Sequence, residues 1–276
     1  MNRNLILVDA SYATFYRFFA TKLWFAHSQK EEYTKYKDDK DYDWINNNIF
    51  MKKYEEMYLE SIKRLVKVKV FKNSTIIFCR DSMRSTLWRH DLVSTYKKKR
   101  PDMAAKHNMS HIFDYTYKNI IPNLIKDDNI HSMHIKRMEG DDIIACICKY
   151  METKNNNIYI VSGDEDFLQL GRPNLFFINF KKKKLVELSK KEAEDILYKK
   201  ILLGDTSDFI PGILPKGKKK NELLESKELL LKYLDENPDI KKKYILNQKL
   251  IDFNNIPKEY VDIVIEKFSV IFPFPS

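Results

Sequence analysis

Glu139-Gly140-Asp141-Asp142 places three carboxylates within four residues, directly ahead of the apolar run Ile143, Ile144, Ala145, Cys146, Ile147, Cys148 and Met151. Ile144, Ile147, Cys148 and Met151 recur at helical spacing and predict a buried stripe. The acids then stand at a helix N-terminus, where the dipole tolerates negative charge. A simple acidic cap would account for two of them but not for the third. Three further clusters have the same form: Asp9 after Leu5-Ile6-Leu7-Val8, Asp164 and Asp166 after Ile158-Tyr159-Ile160-Val161, and Asp205 and Asp208 after Ile201-Leu202-Leu203. Crowded carboxylates repel and raise one another's pKa unless something cationic neutralises them. A pair of hard divalent cations is the economical answer.

The chain has 276 residues with 49 Lys and Arg against 39 Asp and Glu, a formal net charge of +10. That length suits one large domain, or one domain with a small helical extension. An acidic site within a basic chain suits a polyanionic substrate held through its phosphates. Biased composition would explain the number of lysines but not their placement. Cys79, Cys146 and Cys148 lie in apolar runs without metal-type spacing and read as buried free thiols of a reducing compartment. With no signal peptide and no long apolar run, the expectation is a soluble intracellular protein that does not engage a membrane.

The elements that must position these acids follow from hydrophobic pattern. Residues 5–8 read as a buried parallel strand ending at Asp9. Residues 11–20 form an aromatic-rich helix whose rings are mostly core, although Tyr12 or Tyr16 could stack on a base; Arg17 is a candidate phosphate contact. Residues 27–48 are polar and of mixed charge, a surface insertion. A helix over 49–68 precedes a second strand, 75–79, which ends beside Asp81. Trp88, Leu92 and Tyr96 recur every four residues and predict one basic helix over 84–100, carrying Arg84, Arg89, Lys97, Lys98 and Arg100. A basic helix leading away from a metal-site acid can hold a scissile phosphate, which makes Arg84, Arg89 and Lys98 candidate nucleic-acid contacts, although on charge alone the segment reads as a solvated basic face. Pro101 stops it, a short linker follows, and 111–125 is another helix. His107, His111, His131 and His134 lack zinc-type spacing and read as surface residues. A weak strand, 131–136, leads to Glu139; stronger ones span 158–161, 175–180 and 185–188, with a turn over 181–184. A helix over 190–202 leads to Gly204-Asp205-Thr206-Ser207-Asp208-Phe209-Ile210-Pro211-Gly212. Residues 221–268 are helical and lysine-rich, and Pro273 and Pro275 mark the end.

Strands alternating with helices predict an α/β fold with a mostly parallel central sheet and helices on both faces, followed by a C-terminal helical region. Such sheets bind ligands at the carboxyl ends of their strands. Asp9, Asp81 and Asp164 each closely follow a strand, so residues far apart in sequence can converge.

In order along the chain, these residues resemble the 5′-nuclease superfamily: flap endonucleases, the 5′-3′ exonuclease domains of bacterial DNA polymerases, and the phage-type ribonuclease H that removes primers. The similarity covers roughly residues 4–215. It rests on Leu7-Val8-Asp9-Ala10-Ser11 with Phe15-Tyr16-Arg17, on Asp81 with Trp88-Arg89, Asp91 and Tyr96-Lys97-Lys98-Lys99-Arg100, and on the three later acidic motifs. Each motif is weak alone; five in order are specific. The resemblance implies a metal-dependent, structure-selective 5′ nuclease acting on flap, nicked or RNA-primed DNA. By it, Asp9, Asp81, Glu139 and Asp141 hold one ion and Asp141, Asp164, Asp166 and Asp208 the other, with Asp142 and Asp205 in support. Mg²⁺ suits such oxygen ligands, and Mn²⁺ should substitute. The resemblance also makes Lys97 and Arg100 catalytic, steadying charge in the transition state.

Domain bounds of 1–203 for the nuclease core, with a basic helix and short arch at 82–126, and 204–276 for a DNA-binding region follow. A monomer, with a replication clamp or polymerase as partner, is the expected working form. Two departures stand out. The family's Gly-hydrophobic-Gly turn is replaced by Ile213-Leu214-Pro215-Lys216-Gly217-Lys218-Lys219-Lys220. This removes the basis for a K⁺ site but leaves Lys216, Lys218, Lys219 and Lys220 as phosphate contacts. Only about ten residues separate Arg100 from the next helix, so a threading arch would be short or open. The competing classes are a ribonuclease of the related PIN type and a non-catalytic DNA-binding protein on a nuclease fold.

Overall fold

The computed structural model describes residues 4–181 and 184–273. Lys182 and Lys183 in the expected turn, and Pro275, lie outside the described residues. The strands of the main sheet are β1 (Asn4–Asp9), β2 (Ser74–Arg80), β3 (Ile130–His134), β4 (Ile158–Val161), β5 (Leu175–Asn179) and β6 (Lys184–Glu187). Their spatial order is β3-β2-β1-β4-β5-β6, parallel throughout except for the β5–β6 pair. β1 is central, and its alternation divides the core. Leu5 and Leu7 pack to one side, Ile6 and Val8 to the other, all four fully buried. A strand covered on both faces reads as an unbroken apolar run, which is what Leu5 to Val8 shows.

The helices in chain order are α1 (Ala10–Ser28), α2 (Lys30–Tyr36), α3 (Asn48–Val66), α4 (Val68–Lys72), α5 (Met103–Lys106), α6 (Ser110–Tyr115), α7 (Ile121–Leu124), α8 (Gly140–Tyr150), α9 (Lys190–Leu203), α10 (Lys218–Glu225), α11 (Lys227–Glu236), α12 (Pro238–Ile251) and α13 (Lys258–Ile271). Phe18 and Phe25 of α1 and Phe50, Tyr54 and Tyr58 of α3 fill one core layer; α8 and α13 fill the other. α6 runs on through a π turn, Thr116–Ile120, into α7. None of the helices among the described residues is long and apolar enough to cross a membrane.

The insertion at 27–48 is more ordered than its polar composition suggests. α1 continues to Ser28, α2 follows, and Trp44 is buried with its ring 4.8 Å from that of Phe50. Asn47 is buried as the N-cap of α3, accepting from the amide of Phe50. The segment grips the chain around α5 and α6: Asn108 donates to the Asp41 carbonyl at 2.9 Å, and the His111 ring bonds Asp43. Aromatic residues spaced through a charged sequence supplied this anchoring.

The predicted basic helix over 84–100 does not form. The segment holds two short 3-10 turns, Arg84–Thr86 and Trp88–Asp91, followed by tight turns with Lys97 at φ 51°. Trp88 and Tyr96 are buried, but Leu92 is exposed, so the four-residue apolar repeat is not a helix stripe. Tertiary demand overrides local period here, because the polar groups of this segment are drawn inward to carboxylates.

A candidate metal centre in an acidic cleft

The sheet reverses its winding between β1 and β4, and ligands in such sheets bind at that switch point. Asp9 ends β1 and caps α1, accepting from the amide of Tyr12 at 2.9 Å. Ser162, just past β4, donates its hydroxyl to the other oxygen of Asp9 at 2.8 Å. Asp81 follows β2 and accepts from Ser11 Oγ and the Gly140 amide, both at 2.6 Å. Gly140 fits closely there: an added Cβ would lie 3.0 Å from the Cys79 carbonyl and 3.1 Å from Asp81. The start of α8 is thereby locked against β2, setting Glu139 and Asp141 beside Asp81.

Asp9, Asp81, Glu139, Asp141 and Asp164 line one cleft with Tyr12, Arg84, Lys97 and Arg100. A smaller adjoining recess is lined by Glu139, Asp141, Asp166, Asp205 and Asp208. Carboxylate oxygens of Asp166, Asp205 and Asp208 lie within 4.8 Å of one another. Glu139, Asp141 and Lys97 thus border both spaces.

The two groups of acids are compensated differently. Lys97 Nζ lies 2.6 Å from Glu139 and 3.0 Å from Asp208; Arg100 reaches Asp208 at 3.0 Å; Lys200 pairs with Asp166 and, at 2.9 Å, Asp205. Tyr96 Oη lies 3.2 Å from Glu139 and 3.3 Å from Asp208. Burial would raise the Glu139 carboxyl, but Lys97 and Arg89 outweigh it and hold the group down at about 2. For Lys97, burial pulls the ammonium pKa down, yet Glu139, Tyr96 and Asp208 push it well above its ordinary value. It is a fixed cation. By contrast Asp9, Asp81, Asp141 and Asp164 make no ion pair among the described residues. Loss of hydration, then the charge of Asp81, drives Asp9 up to about 7. Asp141 is raised well above the carboxylate range by burial and by Asp9, Asp164, Asp81 and Glu139. Oxygen-only donors crowded together, none of them in an ion pair, fit hard divalent cations.

Three expected site residues stand elsewhere. Asp142 is fully buried, accepting from Trp88 Nε1 at 2.9 Å and from Arg89 at 2.7 and 2.9 Å. It caps α8 through the Glu139 amide and does not face the cleft as a ligand. Arg89 is correspondingly consumed: it is buried, bridging Asp142, Glu139 and the Leu250 carbonyl, and is not a nucleic-acid contact. Arg17 is buried along α1 with Nε on Thr21, not presented to a phosphate. The helix register carried its side chain to the core side. Tyr16 stacks on Phe180 at 4.5 Å, whereas Tyr12 borders the cleft. Arg84 is exposed and donates to the Arg100 carbonyl. Lys98, Lys216, Lys218 and Lys219 are exposed and Lys220 half-buried.

Sequence reasoning missed Ser11, Ser162 and Lys200. The serines follow Asp9 and Val161 at the two strand ends, and that adjacency was the available signal. Lys200 had none, being one of many lysines on α9.

The matching family model is that of the 5′-3′ exonuclease N-terminal, resolvase-like domain, and it spans residues 4–198. The chain belongs to the 5′-3′ exonuclease family. Within this family it is similar to the ribonuclease H of Enterobacteria phage T4, 30% identical over 167 residues that cover 57% of this chain and 52% of that one. It is also similar to a 5′-3′ exonuclease of Mycoplasmopsis pulmonis, 32% identical over 174 residues covering 59% and 56%. The chain spans about half the length of these relatives. In fold, this exonuclease-family chain matches the flap endonuclease of bacteriophage T5, solved in a complex with DNA and metal ions. The TM-score is 0.66 at 16% identity, over 98% of this chain and 99% of that one.

Proposed function

We propose that this chain is a divalent-metal-dependent 5′ nuclease that hydrolyses phosphodiesters in 5′-flap, nicked or RNA-primed duplex DNA. The observation that carries the reading is the convergence of Asp9, Asp81, Asp141 and Asp164, none of them in an ion pair among the described residues, on a cleft that Lys97 and Arg100 also line. Asp9, Asp81, Glu139 and Asp141 would hold one ion, and Asp141, Asp164, Asp166 and Asp208 a second, with Asp205 in support. Bound there, a Mg²⁺ pair would supply Lewis acidity and a water of lowered pKa; Mn²⁺ should serve as well. Lys97 stays protonated across the physiological range and offers its ammonium to a non-bridging phosphate oxygen. Its place between Glu139 and Asp208 fixes that ammonium before substrate arrives, so little reorganisation remains at the reacting step. Arg100 is exposed and holds Asp208 from the solvent side. Tyr12 offers a ring at the cleft wall, and Lys216, Lys218 and Lys219 offer charge to the duplex backbone further along. We place residues 204–276 in duplex binding on this basis.

The test is cleavage of a labelled 5′-flap duplex, a nicked duplex and a single strand, with Mg²⁺ and with EDTA. The expected result is metal-dependent cutting near the flap junction, abolished in Asp141→Asn while DNA binding persists. Full activity in that variant would sink the two-metal assignment. Duplex binding by the wild-type protein without cutting of any substrate would instead favour a binding protein on a nuclease fold.

A further inference from the structure

Residues with bulky side chains avoid positive φ, because Cβ crowds the following carbonyl. Phe209 adopts φ 59°, immediately after Asp208, and its ring is 50% exposed. The other non-glycine residues with positive φ are Lys67, Lys97, Asn108, Arg137 and Asn174, so Phe209 is the single apolar one among the described residues. No buried cluster includes its ring, and it stacks on no other aromatic residue among the described residues. An aromatic ring is therefore held out in water in a disfavoured backbone conformation, one residue from an acid of the site.

The surroundings give this conformation no escape. A short hairpin pairs β7 (Gly204–Asp205) with β8 (Ile210–Pro211). Gly204, at φ 76°, and Gly212 leave no room: an added Cβ would lie 2.3 Å from the Ile210 carbonyl oxygen and 2.5 Å from that of Leu203. Buried Asn247 of α12 donates to the carbonyls of Ile201 and Pro211 at 3.0 and 2.9 Å. Asp205 Oδ1 ties down the tip by accepting from Ser207. This frame turns Asp205 and Asp208 toward Lys200 and Lys97 and leaves the ring outside. Strain kept at such a place points to use.

We infer that Phe209 contacts the base face of a nucleotide flanking the phosphate held at the acidic cleft, as a positioning and specificity residue. Exposed Lys216, Lys218 and Lys219 follow Phe209 along the chain by seven to ten residues, and offer charge to a polyanion that reaches beyond the cleft. Aromatic faces accept any base and add affinity by stacking. The inference rests on the nuclease reading above, and its test separates the two.

Phe209→Asn removes the ring but keeps a residue that tolerates positive φ; Phe209→Tyr keeps the ring. Thermal melts and the affinity for a fluorescent 5′-flap duplex in EDTA are measured for both, together with the cleavage position in Mg²⁺. The expected result for Phe209→Asn is a melting temperature raised by about 2 °C. Its affinity should fall about tenfold, and its cuts should scatter over neighbouring phosphates. Phe209→Tyr should match the wild type in affinity and position. Unchanged affinity and cleavage position in Phe209→Asn overturn the inference, as does an equal loss in Phe209→Tyr. Earlier melting of Phe209→Asn also overturns it, by showing that the ring packs. A wild-type protein that binds or cuts none of these DNAs would fail the nuclease reading itself.

Discussion

The raised pKa of Asp9 makes the metal-free protein sensitive to pH in a direction opposite to the usual one. A carboxyl of ordinary value 3.8 in the unfolded chain and about 7 in the fold keeps its proton longer in the native state. Between these two values the folded chain binds more protons, so stability falls as pH rises from about 4 to 7 and stays low above that. The ceiling for that single group is about 4 kcal/mol at ~1.4 kcal/mol per pKa unit. Shared titration with Asp81 and Asp141 makes about 2 kcal/mol a more realistic figure, or roughly 4–8 °C in melting temperature for a chain of this size. Glu139 and Asp205, both held at about 2, work in the opposite sense. Their contribution is complete above the unfolded value and is lost only as pH falls from about 4 to 2, so it is flat across the window of interest. Exposed His111 is shifted up by Asp43, and its small stabilisation fades as pH rises through neutrality; His107 and His134 are shifted down by burial and oppose it. These terms do not depend on metal.

The assay is a series of thermal melts at pH 5, 6, 7 and 8, in EDTA and in millimolar Mn²⁺. The EDTA curve should fall from pH 5 to 8, the Mn²⁺ curve should not, and the gap between them should widen with pH. A gap that is constant or shrinks would refute the claim that Asp9 and its neighbours are the crowded, unpaired carboxylates that metal relieves.

Lys97→Ala should lower the single-turnover rate by about 10²–10³-fold while changing DNA affinity less than tenfold; equal losses would make Lys97 only a phosphate anchor. Arg89→Leu should cost about 3–5 kcal/mol of stability by stranding Asp142 without its partner, seen in urea unfolding. If the variant melted normally and lost DNA affinity instead, Arg89 would be a surface contact after all. In Gly163→Ala, the new methyl would lie 2.0 Å from Tyr12 Oη and must displace that ring. The expected signature is a raised KM with a melting temperature within about 2 °C of wild type, the range of a surface substitution; an unchanged KM would remove Tyr12 from substrate contact.

Much of the site was legible because a parallel sheet converts sequence order into convergence. A short apolar run fixes a strand, and the acid after it lies at the carboxyl edge, so Asp9, Asp81 and Asp164 could be grouped from pattern alone, whereas Glu139 and Asp141 joined them through the family resemblance. Hydrophobic pattern does not say which way a charged side chain turns. Arg89 and Lys98 look alike in a basic stretch, yet one is sealed against Asp142 and the other is in water. The 84–100 segment failed for the same reason. Trp88 and Tyr96 are spaced as in a helix, but each carries a polar tip that a buried carboxylate accepts, and those bonds bend the chain into turns. Asp142 was misplaced because adjacent residues at a helix start point in different directions, Asp141 to the cleft and Asp142 into the core.

The stretch from Lys97 to Met109 is a strap with two unlike fastenings. At one end Lys97 and Arg100 are held by Glu139 and Asp208 through ion pairs. At the other Met109 is wholly buried and Asn108 is tied to the Asp41 backbone. Salt and acid weaken ion pairs but not apolar burial, so screening or neutralising the acids should loosen the first fastening and leave the second intact.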